Sequence, residues 1–239
     1  MAPTLITSYF VESPHTGDTS ALVTPSFTPS NGEVVIILAT TWDTATSTGT
    51  PSGGGQTYTS RATEAGGGFS TYARVFSTTI TGSPGSMTIT LSAPSASSYH
   101  QMCVARYSGA QLAGTPATNA AIYSSGSAPS STITTVGTNS VVAWCCGDAQ
   151  SVDPTGHTYR SPATELAIGN GFPEVSGVFY FAHQTAAAAG SQTYGMTAPA
   201  TQKWSMVAIE VQAAAATGGA TPVPRRPSLG LIMRGARRG

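Results

Sequence analysis

Charged residues are scarce in this chain of 239 residues: Asp, Glu, Lys and Arg together make up only 8%, against about 25% in a typical globular chain. The surface must therefore consist largely of Ser, Thr, Ala, Gly and Asn, which gives little charge-based solubility. This composition favours a protein that packs against neighbours or is presented in many copies.

Cysteines are too few, and wrongly placed, for a disulfide framework. The chain has three, an odd number, and Cys145 and Cys146 are adjacent, so on a strand their side chains point to opposite faces. Long apolar runs are missing too, since none approaches the roughly 20 residues that a membrane helix needs. Residues 1–5 also lack the features of a signal peptide. We expect a reduced protein that folds in the cytoplasm and does not enter a membrane.

Catalytic and metal-binding motifs are absent. Neither G-x-S-x-G nor H-E-x-x-H occurs, and Glu64 and Glu165 recur at one position of an internal repeat, so duplication explains them better than a glycosidase pair does. We therefore expect that the protein is not an enzyme and binds no metal and no cofactor. The four histidines, His15, His100, His157 and His183, do not have the spacing of a zinc site. The aspartates near predicted strand ends do not form the run typical of a calcium loop: Asp18, Asp43, Asp148 and Asp153.

What the chain does contain is an internal repeat. Residues 55–64 (GQTYTSRATE) recur as residues 156–165 (GHTYRSPATE), 101 positions later (165 minus 64). A repeat of about a hundred residues exceeds the roughly 20–50 of a solenoid unit. Further matching pairs are 32–36 with 139–143, 68–69 with 171–172, 75–76 with 178–179, and 100–105 with 204–209.

Short segments rich in Val, Ile, Thr, Tyr and Phe, bounded by Gly, Pro, Ser and Asn, predict an all-β protein. Their regular spacing without helices indicates an antiparallel sandwich. We favour one jelly-roll β-sandwich over residues 1–213, with pseudo-repeats at about 20–110 and 118–213, over two tandem sandwiches. The predicted strands are 20–27, 33–41, 56–63, 70–80, 86–92, 99–108, 118–124, 131–136, 140–147, 157–165, 175–184, 191–197 and 203–212.

Residues 214–239 form a Pro- and Arg-rich C-terminal peptide. Its last fifteen residues carry five of the ten basic side chains and none of the ten acidic ones, so they have a charge of +5 and the rest of the chain −5. Apolar residues interleaved with arginines suit docking on another protein, and the acidic body argues against nucleic acid. The predicted partner-binding residues are Arg225, Arg226, Leu229, Leu231, Ile232, Met233, Arg234, Arg237 and Arg238.

Aromatic residues offer one further candidate. Trp144 and Trp204 lie inside apolar segments and are predicted to be core, whereas Trp42 ends a strand. Trp42 is therefore the candidate for stacking against a glycan.

The paired pattern resembles a β-sandwich type found in virion proteins of tailed phages of Actinobacteria and in some extracellular bacterial proteins. The resemblance covers about residues 20–213 and rests on residues 32–36 (GEVVI), 107–109 (YSG), 156–159 (GHTY) and 204–211 (WSMVAIEV). These are structural glycines and apolar strands, and they carry no catalytic residues. The arginine-rich C-terminal peptide departs from the family.

The resemblance implies a minor tail protein, assembled in the host cytoplasm into the virion, contacting other virion proteins and probing the host surface as a homo-oligomer. A capsid decoration protein or head fibre is the alternative, and a carbohydrate-binding adhesin is a second one. The sequence leaves open tail or capsid attachment, the glycan or receptor, and the copy number.

Overall fold

The computed structural model describes residues 1–14, 19–42, 48–65, 71–94, 99–112, 114–150, 154–170 and 177–215, without the side chains of residues 122–125. The described chain contains strands and one 3₁₀ turn (Pro154–Gly156), and no α-helix. The prediction of an all-β antiparallel protein is confirmed. In chain order the strands are β1 (Thr4–Glu12), β2 (Leu22–Val23), β3 (Val34–Trp42), β4 (Pro51–Ser52), β5 (Thr59–Ala65), β6 (Thr71–Thr79), β7 (Thr90–Leu91), β8 (Tyr99–Ser108), β9 (Ala110–Gln111), β10 (Thr118–Ser127), β11 (Ser130–Thr135), β12 (Ser140–Asp148), β13 (Thr158–Tyr159), β14 (Thr164–Asn170), β15 (Val178–Ala186), β16 (Gly190–Ala198) and β17 (Gln202–Ala213).

The two halves of the chain repeat one topology. The first half forms a five-stranded sheet in the order β1-β8-β3-β6-β5 and a three-stranded sheet in the order β2-β7-β4. The second half forms β10-β17-β12-β15-β14 and β11-β16-β13, which is the same order strand for strand. The short strand β9 between the halves pairs with the end of β17. The internal duplication inferred from the sequence is therefore visible as two equivalent pairs of sheets.

These sheets stack in four layers, because both large sheets are apolar on both faces. In β3, alternate side chains starting at Val34 face the second half, and those starting at Val35 face the small sheet of the first half. The central cluster, which joins the two large sheets, consists of Val34, Ile36, Leu38, Ala73, Val75, Tyr99, Cys103, Ala105, Tyr107, Ala110, Val141, Ala143, Cys145, Phe179, Phe181, Val207, Ile209 and Val211.

Each half also has an outer cluster between its large and small sheets. The first contains Ile37, Val104 and Leu91, and the second contains Trp144, Tyr194 and Met206. The sequence favoured a single double-layered sandwich, whereas the described strands form two sandwiches that share the central cluster. Each fully buried aliphatic or aromatic side chain contributes about 1.5–3 kcal/mol, so the shared cluster holds the halves together as one body. The jelly-roll assignment itself stays a prediction.

Strand pairing also corrects the sequence repeat. Val34 and Val141 are equivalent, at an offset of 107, as the sequence indicated. Leu38 pairs with Val75 and the equivalent Cys145 pairs with Phe181, so Val75 corresponds to Phe181 and not to Val178.

Glu64 and Glu165 are not equivalent either. Glu64 pairs with Ala73 near the end of β5, whereas Glu165 pairs with Ala182 near the start of β14. The cause is a turn in the second half, closed by a 2.8 Å hydrogen bond from the Ala163 amide to the Arg160 carbonyl, which separates Tyr159 from β14. The explanation of the two carboxylates by duplication is therefore wrong, because they do not occupy equivalent positions of the repeat.

Three of the described strands were missed: β1 and the two-residue strands β4 and β9. β1 pairs with β8 along the edge of the first large sheet, but its side chains are half-buried or exposed, so it lacks the continuous apolar signal of the inner strands.

Candidate functional site

The body has two distinct ends, because β3 and β12 run in the same direction. Both strands begin at the end where β17 finishes and the chain continues from Ala214, whose amide donates to the Gly109 carbonyl at 2.8 Å. We call this the exit end. At the opposite end, which we call the far end, a Cβ added to Gly177 would lie 2.7 Å from the Trp42 ring and 3.0 Å from the Asp148 carbonyl oxygen.

A buried ion pair fixes the exit end of the first half. Arg106 donates from Nε and Nη2 to one oxygen of Glu33, at 3.0 and 2.7 Å, and both side chains are only 7% exposed. The other Glu33 oxygen accepts the Ser30 amide at 2.8 Å. The Arg106 guanidinium also lies 4.7 Å from the Phe27 ring centroid, in the range of a cation–π contact. These contacts hold the turn before β3 against β8.

In the second half, the turn before β12 is held by a buried carboxylate, where the first half uses an arginine. Glu210 of β17 is equivalent to Arg106 at an offset of 104 and is fully buried. Its carboxylate accepts the Val136 amide at 3.0 Å, the Gly137 amide at 2.8 Å and the Ser140 hydroxyl at 2.7 Å. Charge-assisted hydrogen bonds of this kind are roughly twice as strong as neutral ones. The turn before β12 is therefore held to β17.

An open groove of about 400 Å³ lies at the exit end. Its walls come from β1, the turn before β3, the connection after β8 and the residue after β17, and include Ile6, Gly32, Gly109, Ala110 and Ala214. The volume falls within the roughly 300–1,000 Å³ of ligand pockets. The groove is thus a surface where a few side chains of another segment can dock.

At the far end, polar contacts tie the two halves together. The Tyr99 hydroxyl donates to Glu12 at 2.7 Å and lies 3.2 Å from the Asn170 carbonyl oxygen of the second half. Burial, with the Glu12 carboxylate beside it, raises the pKa of Tyr99. Burial also raises the pKa of Glu12, and the hydrogen bond from Tyr99 opposes that shift. These groups serve as a junction between the halves.

Trp42, the predicted glycan-stacking residue, lies at this junction. It is half-buried and packs against the central cluster, and its ring lies against Gly177. It is therefore only partly available to a ligand, and glycan binding by Trp42 stays a prediction. Trp144 and Trp204 are buried in the second outer cluster, as the sequence predicted.

A flank of the second half carries an interaction that the sequence did not predict. His157 Nε2 lies 3.1 Å from a Glu165 oxygen, and the His157 ring centroid is 5.0 Å from that of Tyr159. Burial, with Glu165 nearby, raises the pKa of Tyr159. His157 is thus half-buried against tyrosines. The sequence repeat gave no sign of this contact, because it aligns His157 with Gln56, which is not a titratable residue.

The other histidines have structural roles. His100 is buried and its Nε2 lies 3.0 Å from the Ser20 carbonyl oxygen. His183 Nδ1 lies 3.1 Å from the Tyr107 hydroxyl across the central cluster, and burial lowers the pKa of His183. Among the described residues, no group of three or more His, Cys, Asp or Glu side chains could hold a metal ion. Of the histidines and aspartates named in the sequence analysis, four lie outside the described part of the chain: His15, Asp18, Asp43 and Asp153.

The predicted partner-binding residues also lie outside the described part of the chain: Arg225, Arg226, Leu229, Leu231, Ile232, Met233, Arg234, Arg237 and Arg238. The structure does show where their segment begins, because β17 ends at Ala213 at the exit end. The last described strand thus ends at Ala213, and the division into residues 1–213 and 214–239 stays a prediction.

Comparison of the chain with models of protein families, with curated proteins and with solved structures gave no match. None of the helical structure in the described residues is long and apolar enough to cross a membrane.

Proposed function

We propose that this protein is a structural component of a phage virion, a minor tail protein whose β-body is displayed on the particle and whose C-terminal peptide anchors it. The observation that carries the proposal is that the C-terminal segment begins at the exit end of the β-body, opposite the far end. The segment with five arginines and four large apolar residues begins at one end, so the opposite end would face away from the attachment point.

The organisation of the buried polar groups supports a structural role. Glu33, Arg106 and Glu210 hold turns at the exit end, and Tyr99 joins the halves at the far end. These groups use their hydrogen bonds to hold turns and to join the two halves. A rigid spacer with a weakly charged surface suits presentation in many copies.

The edges of the large sheets favour attachment by the C-terminal peptide over attachment by added strands. Each of the edge strands β1, β5, β10 and β14 has a register irregularity in its pairing. Bulges blunt an edge against pairing with another chain. A homo-oligomer of this protein would therefore form through side-chain surfaces or through the C-terminal peptide.

The test is incorporation into particles. We expect wild-type protein in purified virions by mass spectrometry, and at least about a tenfold loss when residues 222–239 are deleted. Trp42→Ala is the matched control: it alters the far end and should leave incorporation unchanged. Equal incorporation of the deletion variant would refute the anchoring role, and absence of the wild-type protein from particles would refute the virion role.

Cross-linking of the same particles separates the alternatives. Links from residues 222–239 to tube or baseplate proteins support the minor tail protein, and links to the shell support a capsid decoration protein or head fibre. The carbohydrate-binding adhesin is supported by the position of Trp42 at the far end. It requires glycan binding by the full chain that Trp42→Ala abolishes.

A further inference from the structure

Exposed apolar side chains concentrate at the exit end. The described residues include four large apolar side chains that are exposed, and three of them, Met1, Ile6 and Val136, lie at this end. The fourth, Val23, belongs to the small sheet of the first half and is 48% exposed, close to the 44% of Ile6. Single exposed apolar residues are ordinary, but Ile6 also lines the exit-end groove.

The groove is continuous with the start of the C-terminal peptide. Ala214 forms part of its wall and is held there by the hydrogen bond to Gly109. Leu229 follows fifteen residues later, and a chain of that length spans up to roughly 50 Å when extended. The apolar residues 229–233 can therefore reach the groove beside which their own segment begins.

We propose that Leu231 and the apolar residues around it occupy the exit-end groove of their own chain in the free protein, packing against Ile6. The inference rests on the proposed function, because the particle partner then displaces this contact when the segment anchors the body. The charges agree, since the segment carries +5 and the rest of the chain −5.

The tether favours the same chain over a second copy. A short tether gives an effective concentration in the millimolar range, well above the micromolar concentrations at which the free protein would be studied. Docking also removes the exposed part of Ile6 from water, which is favourable for apolar surface. The segment thus occupies the groove in the free protein.

Disulfide trapping in the free full-length protein tests this contact. The variant I6C/L231C places one thiol in the groove and one in the segment, and V23C/L231C is the matched control with a similarly exposed partner outside the groove. The native cysteines Cys103, Cys145 and Cys146 are buried, so they do not compete. Both variants are oxidised with diamide at micromolar protein, quenched with a thiol-blocking reagent, and compared on non-reducing gels and by mass.

We expect I6C/L231C to form an intramolecular disulfide at least about tenfold faster than the control, at a rate independent of protein concentration. A covalent dimer whose yield rises with concentration would assign the groove to a second copy and overturn the proposal. Equal trapping of the two variants, or no trapping in either, would overturn it as well. Virion incorporation is a separate measurement, so the anchoring role can fail or hold independently of this result.

Discussion

Replacing Arg106 by Met removes the cation from the buried pair at the exit end of the first half. The change keeps a long apolar side chain beside Phe27. The Glu33 carboxylate loses both hydrogen bonds from Arg106 and keeps the one from the Ser30 amide. Both partners are only 7% exposed, so solvent screens the uncompensated carboxylate poorly. The magnitude therefore follows the rule for breaking a buried pair and not that for a surface pair.

Removing one partner of a buried pair costs about 3–5 kcal/mol. For a chain of this length, each kcal/mol lowers Tm by roughly 2–4 °C, so we expect R106M to unfold roughly 6–20 °C below the wild type. The double variant E33Q/R106M removes the stranded charge and should recover part of the loss. The coupling energy of the double-mutant cycle is expected to be at least about 1 kcal/mol.

Thermal and urea unfolding followed by tryptophan fluorescence provide the measurement. Arg61→Met is the control, because Arg61 is half-exposed and donates to the Ser77 hydroxyl at 2.7 Å, which predicts a loss below about 1.5 kcal/mol. An R106M loss no larger than that of R61M would refute the argument. So would a double variant as unstable as the sum of the two single ones, because the pair would then have no coupling.

Three further perturbations test other parts of the body. Gly177→Ala brings a methyl group against the Trp42 ring and should cost about 1–3 kcal/mol in urea unfolding, whereas Gly85→Ala, which meets open space, should be near neutral. Burial lowers the pKa of His183, so the unfolded state binds a proton near pH 6.5 while the folded state does not. Stability should therefore fall as pH drops below about 6.5, and His183→Gln should flatten that slope in unfolding curves from pH 5 to 8. Burial raises the pKa of Cys103 to about 12, so this thiol should react with a thiol reagent at pH 8 only after denaturation.

The four-layer arrangement has a signal in the sequence of β3. Val34, Val35, Ile36, Ile37 and Leu38 form an unbroken apolar run, and such a run indicates a strand buried on both faces. A double-layered sandwich buries one face of each strand, so it leaves half of these residues without a partner. This run alone therefore indicates a large sheet with a layer on either side, as the structure shows for β3, and the prediction of a double-layered sandwich did not take it into account.

The register of the repeat could not be read from identical letters alone. Residues 156–165 match 55–64 closely, but the turn at Arg160–Ala163 changes which residues enter the following strand. Only strand pairing shows that Glu165 contacts His157 and has no counterpart in Glu64. Short polar matches near a turn are weak guides to equivalence, whereas the apolar match between Cys103 and Val207 held, because both pair with equivalent positions of β3 and β12.

The pair of Arg106 and Glu210 shows what the duplication preserved. The two residues occupy equivalent positions on β8 and β17 and have opposite charges, yet each holds the turn that precedes the central strand of its half. The side chain at this position therefore differs between the halves, whereas its function of holding the turn is the same. Since both turns lie at the end from which the C-terminal segment leaves, this end is braced in both halves. A braced end is what the proposed anchoring role would require.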